Sequence, residues 1–172
     1  MTTSSAPTAS AEVDPSPLGW SLAALLREWS ARVAAACADV PHGGRGYEVL
    51  AAVARDAPPT QAALAARLGI DRTVMTYLLD ELVGCGLVER RADPADRRAR
   101  RIVATDHGRA VLTDLDGRVR TAEDALLAGL APADRDVLRH LLERAATSAA
   151  PGDDRCAVVA RAVDPRAVDP AP

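Results

Sequence analysis

The stretch that decides the fold is TQAALAARLGIDRTVMTYLLDELVGCGLVERRADPADRRARRIVA, residues 60–104. It predicts two short helices followed by a hairpin. Thr60 can cap the first helix with its hydroxyl, and Gly69 can end it, because a tight turn between crossing helices needs a positive φ. Asp71 is the predicted N-cap of the second helix. This spacing is typical of a helix-turn-helix.

The second helix has a predicted inner face and a predicted outer face. The inner face consists of Val74, Met75, Leu78, Leu79 and Leu82. The outer face consists of Arg72, Thr73, Thr76 and Tyr77. In a helix-turn-helix the second helix enters the major groove of DNA, so we expect the outer residues to contact base pairs. Thr60 and Gln61, at the start of the first helix, are expected at the DNA backbone.

A basic hairpin is predicted directly behind the second helix. Gly84-Cys85-Gly86 breaks that helix, residues 87–91 and 101–104 predict two strands, and residues 93–96 have turn chemistry. From Glu89 to Arg101 there are six arginines and three acidic residues. Alone, such a run is typical of a solvated hairpin; behind a helix-turn-helix it indicates a DNA-binding wing. The arginines expected at phosphates are Arg90, Arg91, Arg97 and Arg101.

The chain resembles the MarR family of winged-helix transcriptional regulators from about Leu18 to Ala146. The most specific segments are LGIDRTVMT, GLVERR and DPADRRAR. The resemblance implies that Asp96 braces Arg98 and that Arg98 reaches into the minor groove. One position departs from the family, whose members often carry Arg or another polar residue where this chain has Tyr77.

Residues 45–104 are called the reading unit below. Sequence patterns on both sides of it complete the predicted domain organisation. Residues 1–17 and 149–172 are expected to be disordered tails. Between them, residues 18–148 form one MarR-type domain, with a DNA-reading part at 45–104 and dimerisation helices at 18–39 and 106–148. The predicted fold is mainly α (α+β), a winged helix-turn-helix with N- and C-terminal dimerisation helices.

The flanking helices predict a homodimer. Both carry stripes of large apolar side chains that are too extensive to leave in water, which suggests a bundle shared by two subunits. The family resemblance implies the same arrangement. A two-fold dimer would place two recognition helices roughly 34–36 Å apart, so the expected partner is double-stranded DNA with a pseudo-palindromic operator.

Composition narrows the class of protein. The chain has 172 residues and a net charge of −3, and all 21 basic residues are arginines. Overall acidity argues weakly against DNA binding, but a local basic stripe is enough to steer association. No signal peptide or membrane-spanning stretch is evident, so we expect a cytoplasmic protein without membrane contacts.

Catalysis, metals and cofactors have little support. His42, His107 and His140 lie in unrelated segments, and the sequence contains no P-loop or dinucleotide-binding glycine pattern. Cys37 and Cys85 are far apart, as is the third cysteine, and none belongs to a zinc-binding pattern. We therefore expect no enzymatic activity, no cofactor and no metal site.

The expected function is sequence-specific DNA binding, with repression relieved by a small-molecule effector. In the family the effector pocket lies between the dimer bundle and the winged helix, where Trp29, His42, Arg45 and Tyr47 are the candidate residues. An arginine beside aromatic rings suits a small aromatic or phenolic acid. Three alternatives remain open: a thiol-based redox sensor using Cys37 or Cys85, a constitutive DNA-binding protein without an effector, and a protein-interaction module.

Overall fold

The computed structural model describes residues 17–56, 60–93, 100–150, 152 and 154–163. Over these residues the chain is mainly helical, with one two-stranded antiparallel sheet, as the sequence predicts. The elements in chain order are α1 (Pro17–Ala36), α2 (Gly44–Asp56), α3 (Gln61–Leu68), α4 (Arg72–Gly84), β1 (Val88–Ala92), β2 (Arg100–Ala104), α5 (Asp106–Leu126), α6 (Pro132–Ala149) and α7 (Arg155–Val163).

Side-chain and backbone caps fix the angle between α3 and α4. The Thr60 hydroxyl accepts a hydrogen bond from the Ala63 N–H at 3.2 Å, which confirms the predicted N-cap. Gly69 has a φ of 63° and ends α3 in the left-handed conformation. A carboxylate oxygen of Asp71 accepts from the N–H groups of Thr73 at 2.8 Å and Val74 at 3.2 Å. The predicted helix-turn-helix is therefore confirmed down to its caps.

One apolar core holds the helix-turn-helix against α2 and the sheet. Leucines from α2, α3 and α4 have no measurable exposure: Leu50, Leu64, Leu68, Leu78, Leu79 and Leu82. Burying one leucine contributes about 1.5–3 kcal/mol, so this cluster dominates the stability of the reading unit. The prediction for Val74 is wrong, because its side chain is 49% exposed rather than part of this core.

The sheet is anchored where β1 begins and α5 starts. Val88 pairs with Ala104 at the base, and the register runs to Ala92 opposite Arg100. The Thr105 hydroxyl donates to the Gly86 carbonyl at 2.6 Å and accepts from the Gly108 N–H at 2.9 Å. A Cβ on Gly108 would lie 1.9 Å from the Leu87 carbonyl oxygen, so only glycine allows this approach. The wing and α5 are thus fixed to each other.

The helices α1 and α5 pack against each other in a layer beside the reading unit, and residues of α6 line a groove with them. The indole N–H of Trp29 on α1 donates to Glu123 on α5 at 3.0 Å. No residue of α6 is buried, although this helix belongs to the flanking segment with a predicted apolar stripe. Exposed apolar residues of α1 and α6 include Leu18, Trp20, Leu22, Leu26, Val137, Leu141 and Leu142. No helix in the described ranges is long and apolar enough to cross a membrane.

The C-terminal part of the chain contains a helix where the sequence indicates a disordered tail. Helix α7 packs on α3, with Ala157 buried. Asp154 precedes it and forms an ion pair with Arg67 of α3 at 2.6 Å. A carboxylate oxygen of Asp154 also accepts from the Ala157 N–H at 2.9 Å and so caps α7. The expectation of disorder from residue 149 onward is therefore wrong for residues 155–163.

Candidate nucleic-acid interface

Helix α4 presents an exposed face in front of the core. Arg72, Thr73, Thr76 and Tyr77 are all exposed, as their predicted role in contacting base pairs requires. Tyr77 is more exposed than the other large apolar side chains of this helix, at 65%. Because Leu78, Leu79 and Leu82 fix the opposite side of α4 in the core, the exposed face is rigidly held.

A hydrogen bond links the first helix of the motif to the second. The side-chain amide of Gln61 donates to the Thr76 hydroxyl at 2.8 Å, and that hydroxyl donates to the Arg72 carbonyl at 2.9 Å. Because the Thr76 hydroxyl proton is already donated within α4, this hydroxyl can only accept a hydrogen bond from DNA. The methyl group of Thr76 is available for an apolar contact. Gln61 retains its carbonyl oxygen and a second N–H on the same surface, which suits a base or phosphate contact.

Three of the predicted wing arginines are paired with carboxylates. Arg90 on β1 contacts Asp80 on α4 at 2.6 Å, and Arg101 on β2 contacts the buried Asp93 at 2.7 Å. Arg91 contacts Glu89 at 2.5 Å and is 63% exposed at its side chain. The Arg90 pair ties the wing to α4. Since exposed ion pairs contribute only about 0–1 kcal/mol, phosphates can compete for the guanidinium groups of Arg90 and Arg91.

The centre of the predicted wing lies outside the described residues. Asp96, Arg97 and Arg98 belong to this part, so their roles stay predictions. The last described pair of the hairpin is Ala92 with Arg100.

Val74 and Asp80 belong to the exposed surface of α4 but were not among the predicted site residues. At about 100° per residue, Met75, Leu78, Leu79 and Leu82 span about 100° of the helix, and Val74 lies about 90° from the centre of that arc. Val74 therefore sits at the boundary of the apolar stripe, which a helical wheel would have shown. No local pattern pairs Asp80 with Arg90, because they lie on different elements.

The four predicted effector residues have four different acidic neighbours. Trp29 donates to Glu123, the Tyr47 hydroxyl donates to Asp116 at 2.8 Å, and His42 lies 3.5 Å from Glu81. Arg45 lies 3.6 Å from Glu48. An apolar groove of about 390 Å³ is lined by Leu22, Leu25, Leu26, Trp29, Glu123, Leu126, Leu127, Leu138, Arg139 and Leu142. Only Trp29 of the four lines this groove.

Tyr47 belongs to a half-buried polar cluster between α2 and α5. Arg55 contacts both carboxylate oxygens of Asp116 at 2.8 Å, and the Tyr47 hydroxyl donates to one of them. Burial, followed by the hydrogen bond to Asp116, raises the pKa of Tyr47 to about 12. The cluster links the reading unit to the layer of flanking helices.

The stability of the protein should fall in alkaline solution because of Tyr47. A tyrosine in an unfolded chain has a pKa of about 10, so between about pH 10 and 12 the folded protein holds a proton that the unfolded chain has released. The Tyr47 contribution is fully present below pH 10 and is lost as the pH rises through the folded pKa. Urea unfolding at about pH 9, 10 and 11 should show this decline in the parent, and a smaller one in Tyr47→Phe. Tyr77→Phe, which removes an exposed hydroxyl, is the matched control; equal declines in all three proteins would contradict the prediction.

The cysteines differ in their accessibility. Cys37 is completely buried, and burial raises the pKa of its thiol, which disfavours the reactive thiolate. Cys85 is exposed in the turn after α4. A thiol-based switch would therefore have to use Cys85 rather than Cys37.

The sequence and the structure of this chain were compared with those of known proteins. A model described as MarR family matches residues 46–99. The transcriptional repressor CouR, solved bound to a 23-mer DNA duplex, is 32% identical, with a TM-score of 0.60 over 75% of this chain and 92% of that chain. A mutant MarR from E. coli is 23% identical, with a TM-score of 0.68 over 77% and 98%. A MarR family protein from Mycobacterium tuberculosis in complex with p-aminosalicylic acid is 23% identical, with a TM-score of 0.64 over 76% and 99%.

The capped pair α3–α4, the hairpin and the flanking helices define a winged helix-turn-helix protein. The chain belongs to the MarR family and is a DNA-binding transcriptional regulator, which confirms the resemblance found in its sequence. Proteins of this family are transcription factors rather than enzymes.

Proposed function

We propose that the protein is a homodimeric repressor that binds a pseudo-palindromic operator and is released by a small aromatic acid. It acts in the cytoplasm without catalysis, a metal or another cofactor. The observation that carries the DNA-binding part is the exposed, rigidly held face of α4, which lies beside a basic hairpin. Repression is proposed by similarity to CouR, which is named a transcriptional repressor.

The residues proposed to contact DNA fall into two groups. Arg72, Thr73, Thr76 and Tyr77 contact base pairs in the major groove, and the rest contact the backbone or the minor groove. The second group is Thr60, Gln61, Arg90, Arg91, Arg97, Arg98 and Arg101. Asp96 touches no DNA and instead orients Arg98.

The apolar surface of α1 and α6 supports the homodimer. Leu141 on α6 is 51% exposed in the single chain, and Leu18 and Trp20 of α1 are 69% and 65% exposed. Exposed apolar side chains in such number mark an interface in a soluble protein, and most homo-oligomers are two-fold dimers. A second copy of the chain would cover these side chains and bring two α4 helices to one face of the duplex.

DNA binding should weaken steeply with salt. If arginines of the wing and of the helix starts neutralise phosphates, log K falls linearly with log salt, with a slope of about −0.9 per phosphate contact. The measurement is a gel-shift titration at several salt concentrations on a duplex selected from a randomised pool. Arg91→Ala should make the slope shallower by about one contact per half-site, whereas Arg27→Ala in α1 is the matched control. A slope near zero in the parent would contradict the proposed backbone contacts.

The groove between α1, α5 and α6 supports the effector. Its wall combines apolar side chains with the indole of Trp29, a setting that suits an aromatic ring. The guanidinium of Arg139 also lines it, and a ligand carboxylate can compete there with Asp124 and Asp136, because both of these ion pairs are exposed. The relative from M. tuberculosis was solved with p-aminosalicylic acid, so that compound is the first probe. Added to the gel-shift assay, it should release DNA from the parent and less so from Trp29→Ala. If neither it nor related aromatic acids release DNA, constitutive binding or a switch at Cys85 is favoured instead.

A further inference from the structure

The exposed face of α4 contains an apolar pair that the fold does not use. Val74 and Tyr77 are 49% and 65% exposed. They lie three residues apart on one helix, so their side chains are neighbours on the same surface. Both are in the half of α4 that follows the Asp71 cap, the half that approaches base pairs in a helix-turn-helix.

The polar groups around this pair are largely engaged elsewhere. Asp80 is paired with Arg90, Glu81 lies beside His42, and the Thr76 proton is donated within the helix. Thr73 adds a hydroxyl and a methyl group. Neither Val74 nor its neighbours Thr73 and Tyr77 carries the amide or guanidinium needed for a bidentate contact with adenine or guanine.

We propose that Val74, together with the ring of Tyr77, selects thymine through its C5-methyl group. The proposal deepens the proposed contact between α4 and the major groove and rests on it. The thymine methyl is the apolar feature that base pairs present in the major groove, so an apolar pair on the recognition helix matches it in chemistry. An exposed valine in this place contributes little to folding, but it becomes buried when the helix meets a methyl group.

The experiment removes the C5-methyl group of thymine from the DNA and, separately, shortens the side chain of Val74 in the protein. A duplex is selected from a randomised pool with the parent protein, and each thymine is then replaced singly by deoxyuridine, which lacks only the C5-methyl. At one or two positions per half-site, the parent should lose about fourfold in affinity, since burying one methyl group is worth about 0.8 kcal/mol. Val74→Ala should bind thymine and deoxyuridine equally at one of these positions.

Three features keep the result interpretable. Alanine is the best helix former, so Val74→Ala should fold, and its thermal unfolding is compared with that of the parent. Val158→Ala, the same change at an exposed valine of α7, should retain the full methyl dependence. Comparing both proteins on both duplexes cancels any general effect of deoxyuridine on the DNA.

Each outcome decides between the proposals. Loss of methyl dependence in Val74→Ala at one position supports the thymine contact. Full methyl dependence in Val74→Ala, or no dependence in the parent at any position, overturns it while leaving DNA binding by α4 intact. If the parent selects no duplex from the pool, the proposed operator binding fails as well.

Discussion

Leu141→Glu should produce a monomer that binds DNA about 10²–10⁴-fold more weakly than the parent. In a dimer, binding of the first reading unit to DNA makes the binding of the second one intramolecular. This gain in avidity is lost when the subunits separate. Leu141 lies in the exposed apolar face of α6, and no residue of α6 is buried in the single chain. A carboxylate there would be forced into the proposed subunit interface without a partner, whereas the fold of the single chain tolerates it.

The control is Thr147→Glu, which introduces the same charge on the same helix about 120° away around its axis. Sedimentation gives the mass of each variant, and gel shift gives its affinity for the selected duplex. Thr147→Glu should remain a dimer with parental affinity. A Leu141→Glu protein that stays dimeric would contradict the interface, and a monomer that binds as tightly as the parent would contradict the two-site mode of binding.

The local chemistry of the reading unit explains why it could be predicted from sequence. Thr60, Gly69 and Asp71 each act through backbone groups within three or four residues, so their positions in the chain are enough to place the ends of α3 and α4. The strands of the hairpin follow from turn residues in the same way. Thr105 likewise caps α5 through Gly108, three residues on.

Features that depend on contacts between distant segments could not be predicted in this way. Helix α7 lies on α3, where Asp154 contacts Arg67, which is 87 residues earlier. The pairing of Arg90 with Asp80 depends on how the sheet packs against α4. Val74 is a different case, because its position at the edge of the apolar stripe leaves burial to be decided by what packs beside α4.

The predicted effector residues illustrate a further limit. The sequence places Trp29 and Tyr47, two large aromatic residues, near one junction of the chain. In the structure they contact Glu123 and Asp116, which lie seven residues apart on α5 and therefore about 10 Å apart along its axis. Proximity in sequence to a junction does not determine how far apart along a neighbouring helix two side chains lie.

Arg98→Ala should weaken operator binding by about 1–3 kcal/mol, the loss typical of a good specific arginine contact. The family resemblance places Arg98 in the minor groove, where a narrow A·T-rich groove has an enhanced negative potential. The loss should therefore be greatest for operators with A·T-rich flanks. Arg120→Ala in α5 is a control for the removal of one positive charge outside the proposed interface.

Asp96→Ala separates the two roles that the wing prediction assigns. Because Asp96 orients Arg98 without contacting DNA, its removal should reproduce part of the Arg98→Ala loss. Without Asp96, fixing the Arg98 side chain on binding costs more conformational entropy. The double variant should then be no weaker than Arg98→Ala alone, since residues that act through one contact are not additive. Binding of each variant to A·T-rich and G·C-rich flanks at one salt concentration measures these effects. Parental affinity in Arg98→Ala together with a loss in Asp96→Ala would show that the carboxylate acts through another group, and that the minor-groove role of Arg98 does not hold in this chain.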